Sequence, residues 1–148
     1  MHELYDVGYQ SIKNSGVLIQ LAEKMGAVVY DIRFSPKSSD PQWAGINLEI
    51  TLGGRYIHLK ELGNKNYKGG PIELVDQSAG LEAVYSELQN RPVILMCGCW
   101  DREKCHRKTA ARLFELRYGV VSIPLTSPKI KEILGMVDPP EIKQDSLF

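Results

Sequence analysis

Residues 92–117 read PVILMCGCWDREKCHRKTAARLFELR, and the order of residue types along this stretch decides the fold. Pro92 to Met96 is an apolar run without alternation, as a strand covered on both faces must be. A polar, cysteine-rich loop follows, and from about Lys104 to Arg117 the spacing predicts a helix. A buried strand running through a loop into a helix is half of a parallel crossover unit.

Outward from this stretch the same alternation recurs. Leu4 to Val7 reads as a strand ending at Gly8-Tyr9. Asn14 or Ser15 caps a helix through about Met25, with Val17, Leu18, Leu21, Ala22 and Met25 at helical spacing and Gly26 as its stop. Ala27 to Ile32 is a second apolar strand, Ile46 to Leu52 a short helix ended by Gly53-Gly54, and Arg55 to Leu59 a third strand. Ile72 to Gln89 predicts a helix with Gly80 as a weak point, Val120 to Leu125 the last strand, and Lys129 to Met136 a short helix. There is no internal repeat. The expectation is an α/β fold: a single-domain, Rossmann-like three-layer sandwich with a mostly parallel sheet of about five strands over residues 1–126, then a Pro-containing extension and tail over 127–148.

Composition narrows the function classes. The 148 residues are 43% apolar, enough for one core without metal or disulfide staples. Eighteen Lys+Arg cancel eighteen Asp+Glu, so no global field draws in polyanions, and nucleic-acid contact requires a local basic patch. No apolar run reaches the roughly 18 residues that span a bilayer, and MHELYDVGYQ has no basic segment leading into an apolar one, so a soluble, cytoplasmic protein without membrane partners is expected. Cys97, Cys99 and Cys105 are an odd number crowded into nine positions, a poor disulfide framework and better read as thiols in a reducing compartment. No cofactor is implied.

In an open parallel sheet, ligands sit beyond the carboxyl ends of the strands. The polar groups there are Gly8-Tyr9, Asp31 with Arg33, His58 with Glu61, and the loop that begins at Cys97. Asp31 and Arg33 read either as part of a site or as a plain ion pair at a strand end. Cys105, His106 and Arg107 fall in or near the first turn of a helix, where free N–H groups and the macrodipole stabilise a thiolate or a bound anion. Other readings stay open. Cys97 also suits a small buried apolar position. Cys97, Cys99, Cys105 and His106 supply four soft metal ligands, although Cys-x-Cys is tighter than the usual zinc spacing. The strand, cysteine loop and helix are similar to those of thiol phosphatases and sulfurtransferases, and Cys97 with Arg102 fits the latter loosely. The two long loops hold Trp43 and Tyr67 beside Lys37, Lys60, Lys65 and Lys68, residue types that stack a base and grip phosphates, and equally types that seal a core and face solvent.

YDVGY near the start, VVYDIRFSPKS after the first helix, GGRYIHLKELGN after the second and VILMCGCWDREKCHRKTAARL before the last strand resemble the uncharacterised family catalogued as domain of unknown function 488. The resemblance covers about residues 3 to 125, and its most specific pieces are the Asp-x-Arg and Cys-His-Arg steps. It implies a compact α/β domain with signature residues gathered at one sheet edge, and no known reaction. The family pattern falls on Gly8, Tyr9, Asp31, Arg33, Pro36, Tyr56, Leu62, Gly63, Cys97, Cys105, His106 and Arg107. Where members often carry Cys-x-Glu after the strand, this chain has Cys97-Gly98-Cys99; if that Glu acts in proton transfer, Cys99 cannot simply replace it, and Asp101 or Glu103 is the candidate.

The last five residues, QDSLF, resemble the pentapeptide by which bacterial replication and repair proteins dock on the β sliding clamp, with Leu147 and Phe148 as apolar anchors and Gln144 as the hydrogen-bonding group. An ordinary tail folded onto the domain is the alternative.

Together these readings lead to an enzyme acting on a nucleotide or a base in nucleic acid by hydrolysis or group transfer, possible N-glycosidic cleavage included. In it Asp31 serves as base or stabilises positive charge on a sugar, Arg33 and Arg107 hold phosphate or carboxylate, and Cys105 and His106 form the helix-terminal part of the site. Gly8, Tyr9, Trp43, Tyr56, His58, Glu61 and Cys97 would line the substrate. The alternatives are sulfur-transfer or redox chemistry at Cys97 or Cys105, and a metal- or ligand-binding adaptor without turnover.

Overall fold

Strands β1 (Leu4–Gly8), β2 (Val28–Asp31), β3 (Tyr56–His58), β4 (Val93–Cys97) and β5 (Ser122–Pro124) form one sheet in the order β3-β2-β4-β1-β5, with every neighbour parallel. The structure is a computed structural model and describes residues 1–99 and 101–136. β4 sits at the centre, and all five of its residues are buried, which explains its unbroken apolar run. Alternate residues divide between the faces: Val93, Leu95 and Cys97 join one core cluster, Ile94 and Met96 the other.

Helices α2 (Ser15–Met25) and α3 (Gly45–Leu52) cover one face through Leu18, Leu21, Leu48 and Leu52. Helices α4 (Gln77–Glu87) and α5 (His106–Tyr118) cover the other through Leu81, Val84, Ala110 and Phe114. The result is a three-layer, Rossmann-like α/β sandwich. The chain moves one way across the sheet from β1 to β2 to β3 and returns the other way to β4 and β5, which places the helices on opposite faces because parallel crossovers are right-handed. β4, which feeds α5 on one face, therefore ends between β2 and β1, which feed helices on the other. Crevices open at such switch points.

Local chemistry sets most boundaries. Asn14 Oδ1 accepts from Gly16 N to start α2, and Gly26, in the left-handed region, ends it. α4 begins at Gln77 rather than Ile72, because Asp76 Oδ1 accepts from Ala79 N and fixes the cap there. The residues before it close a loop instead: Leu74 bridges Asn64, and Val75 N donates to Gly63 O. Gly80 is a packing point rather than a weak one, since a Cβ there would lie 2.5 Å from Leu62 Cδ2. One turn, α1 (Tyr9–Ile12), follows β1 without any periodic signal in the sequence. α6 (Ser127–Leu134) lies on the α2 face with Ile130 buried in its core, so the packed fold runs past residue 126. Among the described residues no helix is long and apolar enough to cross a membrane.

Candidate active site at the carboxyl ends of β2 and β4

β2 ends on Asp31, and two residues later Arg33 turns its side chain back onto it. Arg33 Nε donates to Asp31 Oδ1 at 2.8 Å and Nη2 to Oδ2 at 2.6 Å, while the Tyr56 hydroxyl donates to Oδ2 at 2.6 Å from the neighbouring β3. Asp31 is fully buried and both its oxygens are engaged. Burial, then the Asp31 charge, pushes the Tyr56 phenol above its ordinary value. The Arg33 guanidinium is 5.4 Å from the Tyr9 ring centroid, and Tyr9 stacks on Trp43 at 4.7 Å. His58 Nε2 donates to Arg33 O at 2.8 Å, fixing the backbone that carries the guanidinium. Arg33 Nη1 is buried and has no hydrogen-bond partner among the described residues.

β4 ends on Cys97, register partner of Gly8 on β1. A Cβ on Gly8 would lie 2.0 Å from Cys99 O and 2.8 Å from Arg107 Nη1, so only glycine lets the cysteine loop cross here. Cys105 is the N-cap of α5, and its Sγ lies 2.8 Å from Cys97 Sγ. Hydrogen bonds from Cys97 and Cys99 hold the Cys105 thiol far below its ordinary value, helped by His106 and the Arg107 backbone N–H, whereas the same contacts push Cys97 up. His106 Nε2 donates to Ile32 O at 2.7 Å, and Nδ1 lies 3.8 Å from Cys105 Sγ. Burial opposes the imidazolium, but the hydrogen bonds to Cys105 and Cys99 outweigh it and lift the His106 pKa to about 9.

Between these two ends lies a cavity of about 610 Å³. Its charged lining among the described residues is Arg33, Lys37, Lys104 and His106, with no Asp or Glu among them. Phe34 and Tyr67, stacked with centroids 5.3 Å apart, form an aromatic wall, and Gly98 and Cys99 also line the cavity. Lys60 lies over the Phe34 ring and Lys68 over the Tyr67 ring, so the basic residues of the second loop gather about this wall. Lys65 pairs instead with Glu73.

A second centre flanks β1. Asp6, fully buried in mid-strand, accepts from Arg102 Nε at 2.9 Å, Arg102 Nη2 at 3.1 Å and Ser122 Oγ at 2.6 Å, and Arg107 Nε stands 3.6 Å from it. This group borders a separate cavity of about 380 Å³ that also touches Ser11 and Thr126.

The residues singled out from the sequence thus divide. Arg33 and His106 face the large cavity, and Cys97 with Cys105 lies behind its Cys99 wall. Asp31 is fully buried behind Arg33, with both oxygens engaged by Arg33 and Tyr56. Arg107, one helical step from His106, turns to the β1 cavity. Trp43 is buried in the core against Tyr9, and Glu61 lines neither cavity; its backbone O accepts from Asp76 N. Tyr9 lies beside the Arg33 guanidinium, and Tyr56 donates to Asp31. Asp6, Ser122 and Phe34 were not singled out: a lone Asp in an apolar strand has no local signature, and Phe34 acquires meaning only against Tyr67. Gln144, Leu147 and Phe148 lie outside the described residues.

No curated protein and no solved structure matches the chain. A protein-family match covers residues 15–114, well over half of the 148 residues, and takes in β2, β4, the cysteine loop and most of α5. The chain belongs to the family described as domain of unknown function DUF488.

Proposed function

We propose that this protein is an enzyme acting on a nucleotide, or on an unpaired base of a nucleic acid, held in the cavity between the β2 and β4 ends. The observation that carries the reading is Arg33 Nη1, a buried guanidinium nitrogen without a partner among the described residues, on a residue lining a cavity whose described charged groups are all basic. In a chain with a formal net charge of zero, such a lining favours an anion. Lys37 and Lys104 supply two further cations, and the Phe34–Tyr67 wall offers a face on which a base stacks, worth about 1–3 kcal/mol per base. Asp31 and Tyr56 position Arg33. The bond to be hydrolysed or transferred would lie towards Cys99 and His106 in the same lining. Docking of Gln144, Leu147 and Phe148 on a β sliding clamp belongs to the same proposal and rests on the sequence alone.

Calorimetric titration with the four common nucleoside 5′-monophosphates, a single-stranded oligonucleotide and inorganic phosphate tests the reading. Binding of a nucleotide or the oligonucleotide tighter than phosphate is expected, with a loss of about tenfold, or 1.4 kcal/mol, for each of Lys37→Glu and Lys104→Glu, and a flatter salt dependence in both variants. Equal binding of phosphate and nucleotide, or no binding at millimolar concentration, overturns it. For the tail, a clamp pull-down that is unchanged in Leu147→Ala/Phe148→Ala removes that part.

A further inference from the structure

The three cysteines of this chain come from separate backbone positions, the end of β4, the loop after it and the N-cap of α5, and they converge. Their Sγ atoms all lie within 4.8 Å of one another. Cys97 and Cys105 are fully buried, and Cys99 is half-buried where it lines the large cavity. The Cys97-Gly98-Cys99 spacing is tighter than that of a zinc knuckle, yet the chain bends at Gly98, just past the end of β4, and the two sulfurs stay close together. Both side chains pack on the α5 face, where Cys105 waits at the start of the helix. Gly98 lets the loop pass the Tyr9 ring, which a Cβ would approach to 3.1 Å.

We infer that Cys97, Cys99 and Cys105 form a binding site for a thiophilic divalent ion, zinc above all, with His106 Nδ1 as the fourth donor. A tetrahedral zinc with Zn–S of about 2.3 Å sets its sulfurs a little under ~4 Å apart, so the three sulfurs, all inside 4.8 Å, are already gathered, and the Cys97–Cys105 pair at 2.8 Å would open by about 1 Å to admit the ion. His106 is held as a metal-ligating imidazole is held: its Nε2 donates to the Ile32 carbonyl at 2.7 Å, which leaves Nδ1 on the Cys105 side, 3.8 Å from that Sγ and just outside the group of three sulfurs. The carbonyl belongs to the residue after β2, so the same contact ties the cluster to the sheet. Three sulfurs this close, two of them shut away from water, gain from a cation that bonds to all three at once. The inference shares Cys99 and His106 with the wall of the large cavity, but it does not rest on the nucleotide reading, because it uses none of Arg33, Lys37, Lys104, Phe34 or Tyr67.

The test is metal content and affinity of the full-length, untagged protein. Grown with added zinc and purified without chelator under reducing conditions, it should carry one zinc per chain by elemental analysis. Cobalt substitution should give intense thiolate-to-cobalt absorption in the near ultraviolet and visible bands of a tetrahedral site. In competition with a chromophoric chelator, Cys99→Ser should lose affinity beyond the about 10–100-fold that follows loss of a ligand's mere hydrogen-bond partner. His106→Gln should weaken zinc binding while keeping the three-thiolate cobalt absorption. Cys99 is the residue to vary because it is the least buried of the three, and the far-ultraviolet circular dichroism of each variant reports whether it folds. A folded wild-type protein that takes up no zinc or cobalt at millimolar metal overturns the inference. So does zinc affinity unchanged in folded Cys99→Ser, or a mass two daltons low that marks a Cys97–Cys105 disulfide in the reduced preparation. Lys37→Glu/Lys104→Glu should retain the metal, so failure of the ligand reading and failure of the metal reading are separable.

Discussion

Arg33 Nη2 stands 2.6 Å from Asp31 Oδ2 and Arg33 Nε 2.8 Å from Oδ1, a two-pronged pair in which the carboxylate is fully buried. The pair explains how an arginine can be kept under a cavity with one nitrogen still free. It also leaves both Asp31 oxygens engaged, by Arg33 and by the Tyr56 hydroxyl.

Breaking this pair should be costly. Asp31→Asn leaves a buried guanidinium without its counter-charge, and a loss of about 3–5 kcal/mol in urea unfolding is expected. Asp31→Leu combined with Arg33→Met should cost clearly less than the sum of the single changes, because the double variant buries no orphan charge. Additive costs would show that the two side chains are not energetically coupled.

Tyr56 tests the same network from β3. Its hydroxyl donates to a charged acceptor, so Tyr56→Phe should cost about 1.5–3 kcal/mol at neutral pH. The phenol's folded value is raised, chiefly by burial, so the unfolded chain releases this proton first as pH climbs past the ordinary value of 10.0. The stabilisation is therefore complete below that pH and is lost above it, and the gap between wild type and Tyr56→Phe should narrow in alkali. A gap that stays constant to pH 11 would contradict the contact.

Gly80 separates helix propensity from packing. Propensity alone makes Gly80→Ala worth a gain of up to about 1 kcal/mol within α4. The new Cβ would lie 2.5 Å from Leu62 Cδ2 and 2.6 Å from Leu62 Cγ, beneath a fully buried side chain. Overpacking of this kind costs about 1–3 kcal/mol, so net destabilisation is expected, and Leu62→Ala in the same background should relieve part of it. A stabilised single variant, read by thermal unfolding, would mean that the loop holding Leu62 yields.

Asp6 is the buried anion of the β1 side. Asp6→Asn leaves Arg102 and Arg107 facing each other without their shared carboxylate, and a loss of about 3–5 kcal/mol is expected. Metal content should not change, since Asp6 touches none of the sulfurs. Ser122→Ala, which removes only one hydrogen bond to the same carboxylate, should cost about 1.5–3 kcal/mol.

Local pattern carried the five strands and most of the helices, though not the single turn α1 or the Asp76 cap that starts α4. An unbroken apolar run such as Val93 to Met96 reports burial on both faces, and Asn14 and Gly26 mark helix ends by chemistry that acts within a few residues. The convergence of polar residues at strand ends was legible too, because parallel topology puts every such end on one edge. What the sequence alone could not decide was which side chains meet. Neighbours in the sheet are set by long crossovers: β2 lies beside β4 although their centres are far apart in the chain, and only that adjacency brings Ile32 O to His106. Trp43 and Tyr67 sit in similar loops, yet one fills the core against Tyr9 and the other faces the cavity against Phe34, a choice made by packing. Asp31 and Arg107 are as polar as any catalytic pair, and only the tertiary structure turns the first inward onto Arg33 and the second away to Asp6. Composition and period act over one or two turns of chain, whereas a site is made by contacts between distant segments, and those are settled when the two faces of the sheet are covered.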